Sequence, residues 1–251
     1  MLKEKVPEFR SPLKAIFIII IGVCIFLGIM IFFWWFDRLQ WYGIYISQSI
    51  ITIIASVFIY RFTTRGDKYR RKYGNLAYRY FFFHIVILML ITGNAGLFHV
   101  LIIKGPILFP LWFAICTGIF FIFMRFLLEW HLRSSGFDEV GHGLGIFMLF
   151  PEEGQQINSD IYSFIRHPMY AGDLCLDIGF AFLRNNLFAF IIALIAFIPF
   201  IIAMKCEDKE LIKRFGDKHR QYIKTTGAII PHWKNMGKFL RLLFFKREKV
   251  N

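Results

Sequence analysis

A short segment, YSFIRHPMYAGD at residues 162–173, places charged and aromatic side chains where an apolar run begins. Proline suits the first turn of a helix and favours an extended residue before it. We therefore expect a helix to begin at Pro168 and His167 to be the last extended residue. The free N–H groups of a helix N-terminus attract carboxylate or phosphate, and Arg166 would strengthen that field. The segment predicts an anion-binding position.

Tyr162 and Tyr170 flank this position and add aromatic faces, which suit a cation or a flat base. A ligand with an anionic part and a cationic or planar part would satisfy both features. The alternative is interfacial anchoring, in which the arginine snorkels and the tyrosines sit in the aromatic belt of a membrane. The residues themselves leave both interpretations open.

The composition indicates a membrane protein. The chain has 251 residues, of which 57% are hydrophobic, and its mean hydropathy is +0.54. Soluble domains contain about 45–50% apolar residues. The net charge of +13 flanks the apolar runs, which is typical of cytoplasmic membrane loops and argues against a nucleic-acid partner. The four cysteines form no CxxC pair, so neither a disulfide framework nor a metal site is predicted.

The apolar runs predict the fold, because a bilayer core of ~30 Å needs about 20 apolar residues per helix. Four runs meet this requirement: Ala15–Trp35, Tyr42–Tyr60, Tyr80–Ile103 and Ile107–Trp130. A fifth, Met169–Lys205, is too long for one helix and is interrupted by Arg184-Asn185-Asn186, so it predicts a helical hairpin. The predicted fold is an all-α polytopic membrane protein with about six transmembrane helices, the last two forming the hairpin.

Lysine and arginine placement predicts the orientation. Both termini and the loop after the second run are rich in these residues, whereas the alternate loops hold few. Both termini are therefore expected in the cytoplasm, with no indication of which membrane. The C-terminal tail is expected to be a cytoplasmic helical segment, and its GKFLRLLFFKREK stretch is basic and amphipathic.

Charged residues inside the predicted spans need partners, since they are costly in hydrocarbon. Arg125 and Glu129 lie one turn apart on the fourth span, and Asp173 and Asp177 lie one turn apart on the first hairpin arm. Two like charges on one face need a cation. We expect Arg125 to bridge the fourth span to the hairpin through Asp173, beside or instead of a local pair with Glu129.

Two further polar features of the sequence do not indicate a ligand site. Asn94 and His99 in the third span are expected to form interhelical hydrogen bonds rather than to bind a ligand. The sequence GHGLG at residues 141–145 has neither a strand before it nor a βαβ unit around it, so it does not indicate a nucleotide-binding loop.

The last third of the chain resembles the isoprenylcysteine carboxyl methyltransferases and the related phospholipid methyltransferases. The resemblance rests on SDIYSFIRHPMYAGD, on the hairpin with Asn-Asn in its turn, and on CEDKELIKRFGDKHRQYIKTTGAIIP. The matching positions are Tyr162, Arg166-His167-Pro168-Met169-Tyr170, Glu207-Asp208, Leu211, Phe215-Gly216, Tyr222 and Ile230-Pro231.

This resemblance implies an integral-membrane enzyme that moves a methyl group from S-adenosylmethionine to a lipophilic small molecule or lipid. It divides the chain into four transmembrane helices (residues 1–130) and a catalytic region (residues 131–251). The cofactor site that it implies comprises Ile157, Tyr162, His167, Pro168, Met169, Tyr170 and Glu207. The methionine carboxylate would suit the helix N-terminus, and the sulfonium would suit tyrosine faces and a nearby carboxylate. No catalytic side chain is predicted.

Two positions depart from the family pattern. Ala203 stands where isoprenylcysteine enzymes have an arginine that faces the substrate, and Asp160 replaces a usual glycine. Without a planar bidentate donor, a substrate carboxylate would not be held in that way. The acceptor is therefore left open among an amine headgroup, a quinone-like phenol and another lipid.

Two rival functions follow from the same residues. YAGD at residues 170–173 is similar to a motif of sterol reductases, which use NADPH, although Met169 stands where that branch has asparagine. A non-catalytic membrane protein that retains the fold is the other rival, and Ala203 is its main support.

Overall fold

The fold of the described residues, 2–135, 145–150 and 160–245 in a computed structural model, is helical and contains no strand. Met1 and residues 136–144, 151–159 and 246–251 are not described. The main helices are α1 (Pro12–Phe36), α2 (Gly43–Thr64), α3 (Gly66–Ile102, with short 3₁₀ and π segments), α4 (Leu111–Ser134), α5 (Pro168–Arg184), α6 (Leu187–Phe215, interrupted at Phe197), α7 (Asp217–Thr225) and α8 (Met236–Phe245).

Five of these helices, α1, α2, α3, α4 and α6, are long and apolar enough to cross a membrane. The sixth expected span, α5, has 17 residues and is about 26 Å long at 1.5 Å per residue, slightly less than a bilayer core. The predicted all-α polytopic architecture is thus confirmed. The cytoplasmic placement of the termini stays a prediction.

The predicted hairpin is formed by α5 and α6, and its turn explains the two asparagines. Asn185 adopts a left-handed φ of 51°, which asparagine tolerates better than most residues. Its side-chain amide also donates to the carbonyl of Phe109 (2.8 Å) and accepts from the N–H of Phe109 (2.9 Å). Asn186 caps α6, because its side-chain oxygen accepts from the N–H three residues later. The turn is thereby fixed to the α3–α4 connection.

The helices α4 and α5 make the most extensive helix contact in the described structure. Glycines permit this approach: a Cβ at Gly118 would lie 3.1 Å from the carbonyl oxygen of Gly179, and a Cβ at Gly179 would lie 3.0 Å from Cγ1 of Ile122. Small residues at such contacts allow close packing of membrane helices. The crossing sets the position at which α5 begins.

Charged side chains reinforce the same contact. Arg125 Nε lies 3.4 Å from Asp173 Oδ1, and another nitrogen of its guanidinium donates to Glu129 Oε2 at 2.5 Å. The expected bridge from the fourth span to the hairpin and the local pair with Glu129 are therefore both present. Asp177, one turn further along α5, is fully buried, and its carboxylate oxygens have no hydrogen-bond partner among the described residues.

A buried polar network ties the other end of the bundle. His99 Nε2 lies 2.7 Å from Asp37 Oδ2, and His99 Nδ1 lies 2.8 Å from Gln48 Oε1, so the ring links α3 to α2 and to the end of α1. The interhelical role expected for His99 is confirmed. The same expectation for Asn94 is wrong, because its exposed side chain donates to the carbonyl of Leu90 in its own helix (2.8 Å).

The C-terminal helix α8 packs on the end of α4. Phe239 and Leu243 are buried beside Leu128 and Ile165, and His131 Nε2 lies 3.2 Å from the carbonyl oxygen of Leu243. The helical tail that the sequence predicted is therefore present up to residue 245, where the described residues end. Its amphipathic pattern serves in part to cover α4, and contact with a membrane surface stays a prediction.

Candidate functional site

The two sequence blocks that carry the resemblance lie side by side. The N–H of Arg166 donates to the carbonyl of Gly227, and the N–H of His167 donates to the carbonyl of Ala228, both at 2.9 Å. Only glycine fits at residue 227, because a Cβ there would lie 1.8 Å from the carbonyl oxygen of Ile230. These backbone bonds hold the entry to α5 against the segment that follows α7.

Arg166 fastens this junction with its side chain. The guanidinium donates to Asp208 Oδ2 (3.2 Å), to the carbonyl of Ile223 (3.2 Å) and to the carbonyl of Thr226. One side chain thus links the entry to α5 with α6, α7 and the loop after α7. Because its charge is paired with Asp208, Arg166 mainly stabilises this junction. The sequence had instead led us to expect that it would strengthen the positive field of the helix N-terminus.

His167 lies between two carboxylates. Its Nδ1 is 3.4 Å from Glu207 Oε2 and its Nε2 is 3.3 Å from Asp208 Oδ1, although the Nε2 contact is not aligned as a hydrogen bond. Burial lowers the pKa of His167, but the two carboxylates outweigh burial and raise this pKa to about 9. The imidazole is therefore positively charged at neutral pH and pairs with the acidic residues on α6.

Tyr170 connects α5 to the same acidic pair. Its hydroxyl donates to Glu207 Oε1 at 2.5 Å, and its ring lies 5.8 Å from the ring of His167, measured between centroids. The ring is buried in an apolar cluster with Ala203 and Met204 of α6. The alanine that replaces the family's arginine therefore lies against the wall of the candidate site.

Tyr162 approaches from the segment before α5. Its carbonyl accepts a hydrogen bond from the hydroxyl of Tyr222 on α7 (2.5 Å). Burial, with a smaller contribution from the charge of Glu207, raises the pKa of the Tyr162 phenol, so the phenol stays neutral at physiological pH. Asp160, the substitute for the family's glycine, has a φ of 50°, and aspartate is among the few residues that tolerate this left-handed conformation.

The first turn of α5 has backbone donors that no described side chain caps. Pro168 occupies the first helical position, as predicted, and within the described ranges no side-chain cap hydrogen bond is made to the helix N-terminus. The N–H groups of Met169 and Tyr170 are therefore not bound by a capping side chain and are suited to an external carboxylate.

The structure brings together six of the seven predicted cofactor residues, all but Ile157, which lies outside the described residues. Sequence reasoning missed the central part that Asp208 plays, since this residue contacts Arg166, His167 and also His219 (Nε2 to Oδ1, 3.3 Å). The sign of this role in the sequence is that Asp208 directly follows Glu207. In the described part of the chain, no group of three His, Cys, Asp or Glu side chains is placed to hold a metal ion.

Part of the chain is similar to known proteins. Residues 112–218 match the family described as "Phospholipid methyltransferase". A "Methanethiol S-methyltransferase" of Pseudomonas deceptionensis is 28% identical over 121 residues, which cover 47% of this chain and 45% of that protein, so the match spans less than half of the relative's length. No solved structure matches. The resemblance seen in the sequence is thus confirmed: from α4 through the start of α7, the chain carries the sequence pattern of the phospholipid methyltransferase family.

Proposed function

We propose that this protein is an integral-membrane methyltransferase that uses S-adenosylmethionine to methylate a lipophilic acceptor. The observation that carries the proposal is the contact between Tyr170, His167 and Glu207, which joins the entry to α5 with the acidic pair on α6. The family match to residues 112–218 and the methyltransferase relative support the reaction class.

The side chains present fit the cofactor. The uncapped N–H groups of α5 would bind the methionine carboxylate, and Glu207 and the faces of Tyr162 and Tyr170 would lie near the positive sulfur or the ammonium group. S-adenosylmethionine supplies a methyl group on a positively charged sulfur, and the group moves by displacement at carbon. The protein then needs to align the reactants and exclude water. The burial of Tyr170 and His167 serves the second task.

The apolar wall at Ala203 restricts the chemical class of the methyl acceptor. This residue is 2% exposed and packs among apolar side chains, so the position offers no cation to a substrate carboxylate. An acceptor without a carboxylate at that place is favoured, such as an amine headgroup, a phenol or a thiol. The family name points to a phospholipid and the relative's name to a small thiol, and both classes belong in the assay.

Cofactor binding tests the site directly. Calorimetry with S-adenosylhomocysteine on detergent-purified protein should give saturable binding, and Glu207→Gln should weaken it by about 10–100-fold, the range for a charge-assisted hydrogen bond. Tyr170→Ala should also weaken binding. Glu210→Gln is the matched control, since this residue pairs with Arg214 on the same helix. Wild-type affinity in both site variants would place the cofactor elsewhere.

Product analysis tests the reaction. Protein incubated with methyl-labelled S-adenosylmethionine should transfer label to a membrane-lipid extract or to added thiols, and the labelled product identifies the acceptor class. Saturable NADPH binding without any response to S-adenosylhomocysteine would favour the reductase instead. Cofactor binding without transfer to any acceptor would favour a non-catalytic protein.

A further inference from the structure

A groove of about 680 Å³ runs along the outer face of α2, where α2 packs on α6. Its length on α2, from Ser49 to Arg61, is about 18 Å at 1.5 Å per residue. One leaflet of the hydrocarbon core is about 15 Å thick, half of the usual ~30 Å, so the groove has the length of an acyl chain in one leaflet. Five aliphatic side chains line it, Ile53, Val57, Ile195, Ile198 and Ile202, together with Ser49, Thr52, Ser56, Tyr60, Arg61 and Arg65, and most of the surface that they present to the groove is apolar.

A second cavity of about 620 Å³ continues from one end of this groove, and the two share Tyr60 and Arg65. Cations dominate its lining: Arg65, Lys68, Arg71 and Lys72. The acidic residue in the lining, Asp67, is engaged by Arg70 at 3.2 Å. Within the described ranges, no carboxylate pairs with Arg65, Lys68 or Arg71, so the described residues do not compensate their charge.

We propose that the groove and this basic cavity form a binding site for an anionic phospholipid. An acyl chain would lie between α2 and α6, and the phosphate would contact the guanidinium groups at the start of α3. Because Tyr60 and Arg65 line both cavities, a single ligand with an acyl chain and a phosphate fits them better than a free phosphate or a neutral lipid does. A free phosphate would use the cations and leave the groove unexplained, and a neutral lipid would leave the positive charges uncompensated.

This site is distinct from the candidate methyl-transfer site. Ile198 and Ile202 of α6 line the groove, whereas Ala203 and Glu207 of the same helix lie against Tyr170. Ile202 marks the boundary, because it also packs against the cluster around Tyr170. The bound lipid is therefore a resident ligand and not the methyl acceptor. The proposal does not depend on the proposed function, and its test needs no turnover.

Native mass spectrometry of the detergent-purified full chain, titrated with phosphatidylglycerol and with phosphatidylcholine of the same chain length, tests the site. We expect phosphatidylglycerol to bind at least tenfold more tightly. The double variant Arg65→Gln/Arg71→Gln should lose about 25-fold in affinity, the product of about fivefold for each basic residue. The matched control is Lys213→Gln/Lys218→Gln, which removes two exposed charges outside the cavity.

A second pair of variants tests the groove separately from the charges. Val57→Trp should fill the groove and weaken phosphatidylglycerol binding about tenfold, whereas Ile50→Trp, on the same helix but outside the groove, should leave it unchanged. Both are exposed apolar positions, so melting temperatures near that of the wild type are expected for both variants. Equal binding of the two lipids, displacement by inorganic phosphate with no effect of Val57→Trp, or no retained lipid would each overturn the proposal.

Discussion

The charge on His167 is the most direct feature to titrate. In the folded protein this buried imidazole lies 3.4 Å from Glu207 and 3.3 Å from Asp208, and its pKa is raised from 6.5 to about 9. A group whose folded pKa is raised stabilises the folded state fully below the unfolded pKa, and this stabilisation is lost as the pH rises through the folded pKa. The window is therefore between pH 6.5 and about 9.

The size of the effect follows from the same shift. At about 1.4 kcal/mol per pKa unit, a rise from 6.5 to about 9 corresponds to roughly 3 kcal/mol of folding free energy at low pH. The assay is unfolding of the detergent-solubilised protein at several pH values, for the wild type and for His167→Gln. The difference between the two proteins reports the contribution of this imidazole, together with the change that its removal makes in the pKa of Asp208, which His167 helps to lower.

We expect the wild type to exceed His167→Gln in stability by an amount that shrinks steadily as the pH is raised through the window. A difference that does not change with pH would refute the reasoning, since the ring would then carry no charge in the folded state. A difference that grows with pH would show that burial outweighs the carboxylates and that the imidazole is neutral.

Three further predictions concern the α4–α5 framework, each measured as a change in the free energy of unfolding. Arg125→Gln and Asp173→Asn should be non-additive by about 1 kcal/mol in a double-mutant cycle, because the two side chains are 3.4 Å apart. Gly179→Val should cost about 1–3 kcal/mol, because even its Cβ would press on α4. Asn185→Ala should cost about 2–3 kcal/mol, from two hydrogen bonds and the left-handed backbone.

Each prediction has its own control. Additive effects of the Arg125 and Asp173 substitutions would mean that Glu129 alone satisfies the guanidinium. Gly22→Val on α1 places its Cβ where nothing lies within 4 Å, so a cost equal to that of Gly179→Val would remove close packing as the cause. Asn185→Gly keeps the left-handed backbone and loses both side-chain bonds, and stability equal to the wild type would show that those bonds contribute nothing.

The fold could be read from the sequence to a large extent, because bilayer thickness and charge placement are strong constraints. The hairpin turn was predicted from Arg184-Asn185-Asn186, since these residues suit a turn and not hydrocarbon, and the start of α5 was predicted from Pro168. The contact of Arg125 with Asp173 was predicted from their similar depths. The interhelical hydrogen bond predicted for Asn94 was wrong, because the position of a residue within a span does not indicate whether its side chain faces another helix or the lipid.

The site was predictable only in part. The family pattern pointed to Tyr170 and Glu207 although they lie 37 residues apart, and the hydrogen bond between them agrees with that pairing. The engagement of Arg166 with Asp208 and with two backbone carbonyls was not visible, because it depends on how α7 folds back on the entry to α5. Nor does hydrophobic periodicity reveal the contact of His219 with Asp208.

The charges of the site explain why its acidic residues occur as a pair. Asp208 faces Arg166, His167 and His219 and is committed to holding the junction, whereas Glu207 is shared between His167 and the hydroxyl of Tyr170. With the imidazole protonated, two cations balance two carboxylates. A cationic ligand that approached Glu207 would therefore compete with His167 for one carboxylate, not for both. Asp208 keeps the entry to α5 in place when Glu207 binds a ligand. The geometry of the helix N-terminus therefore does not depend on what Glu207 binds.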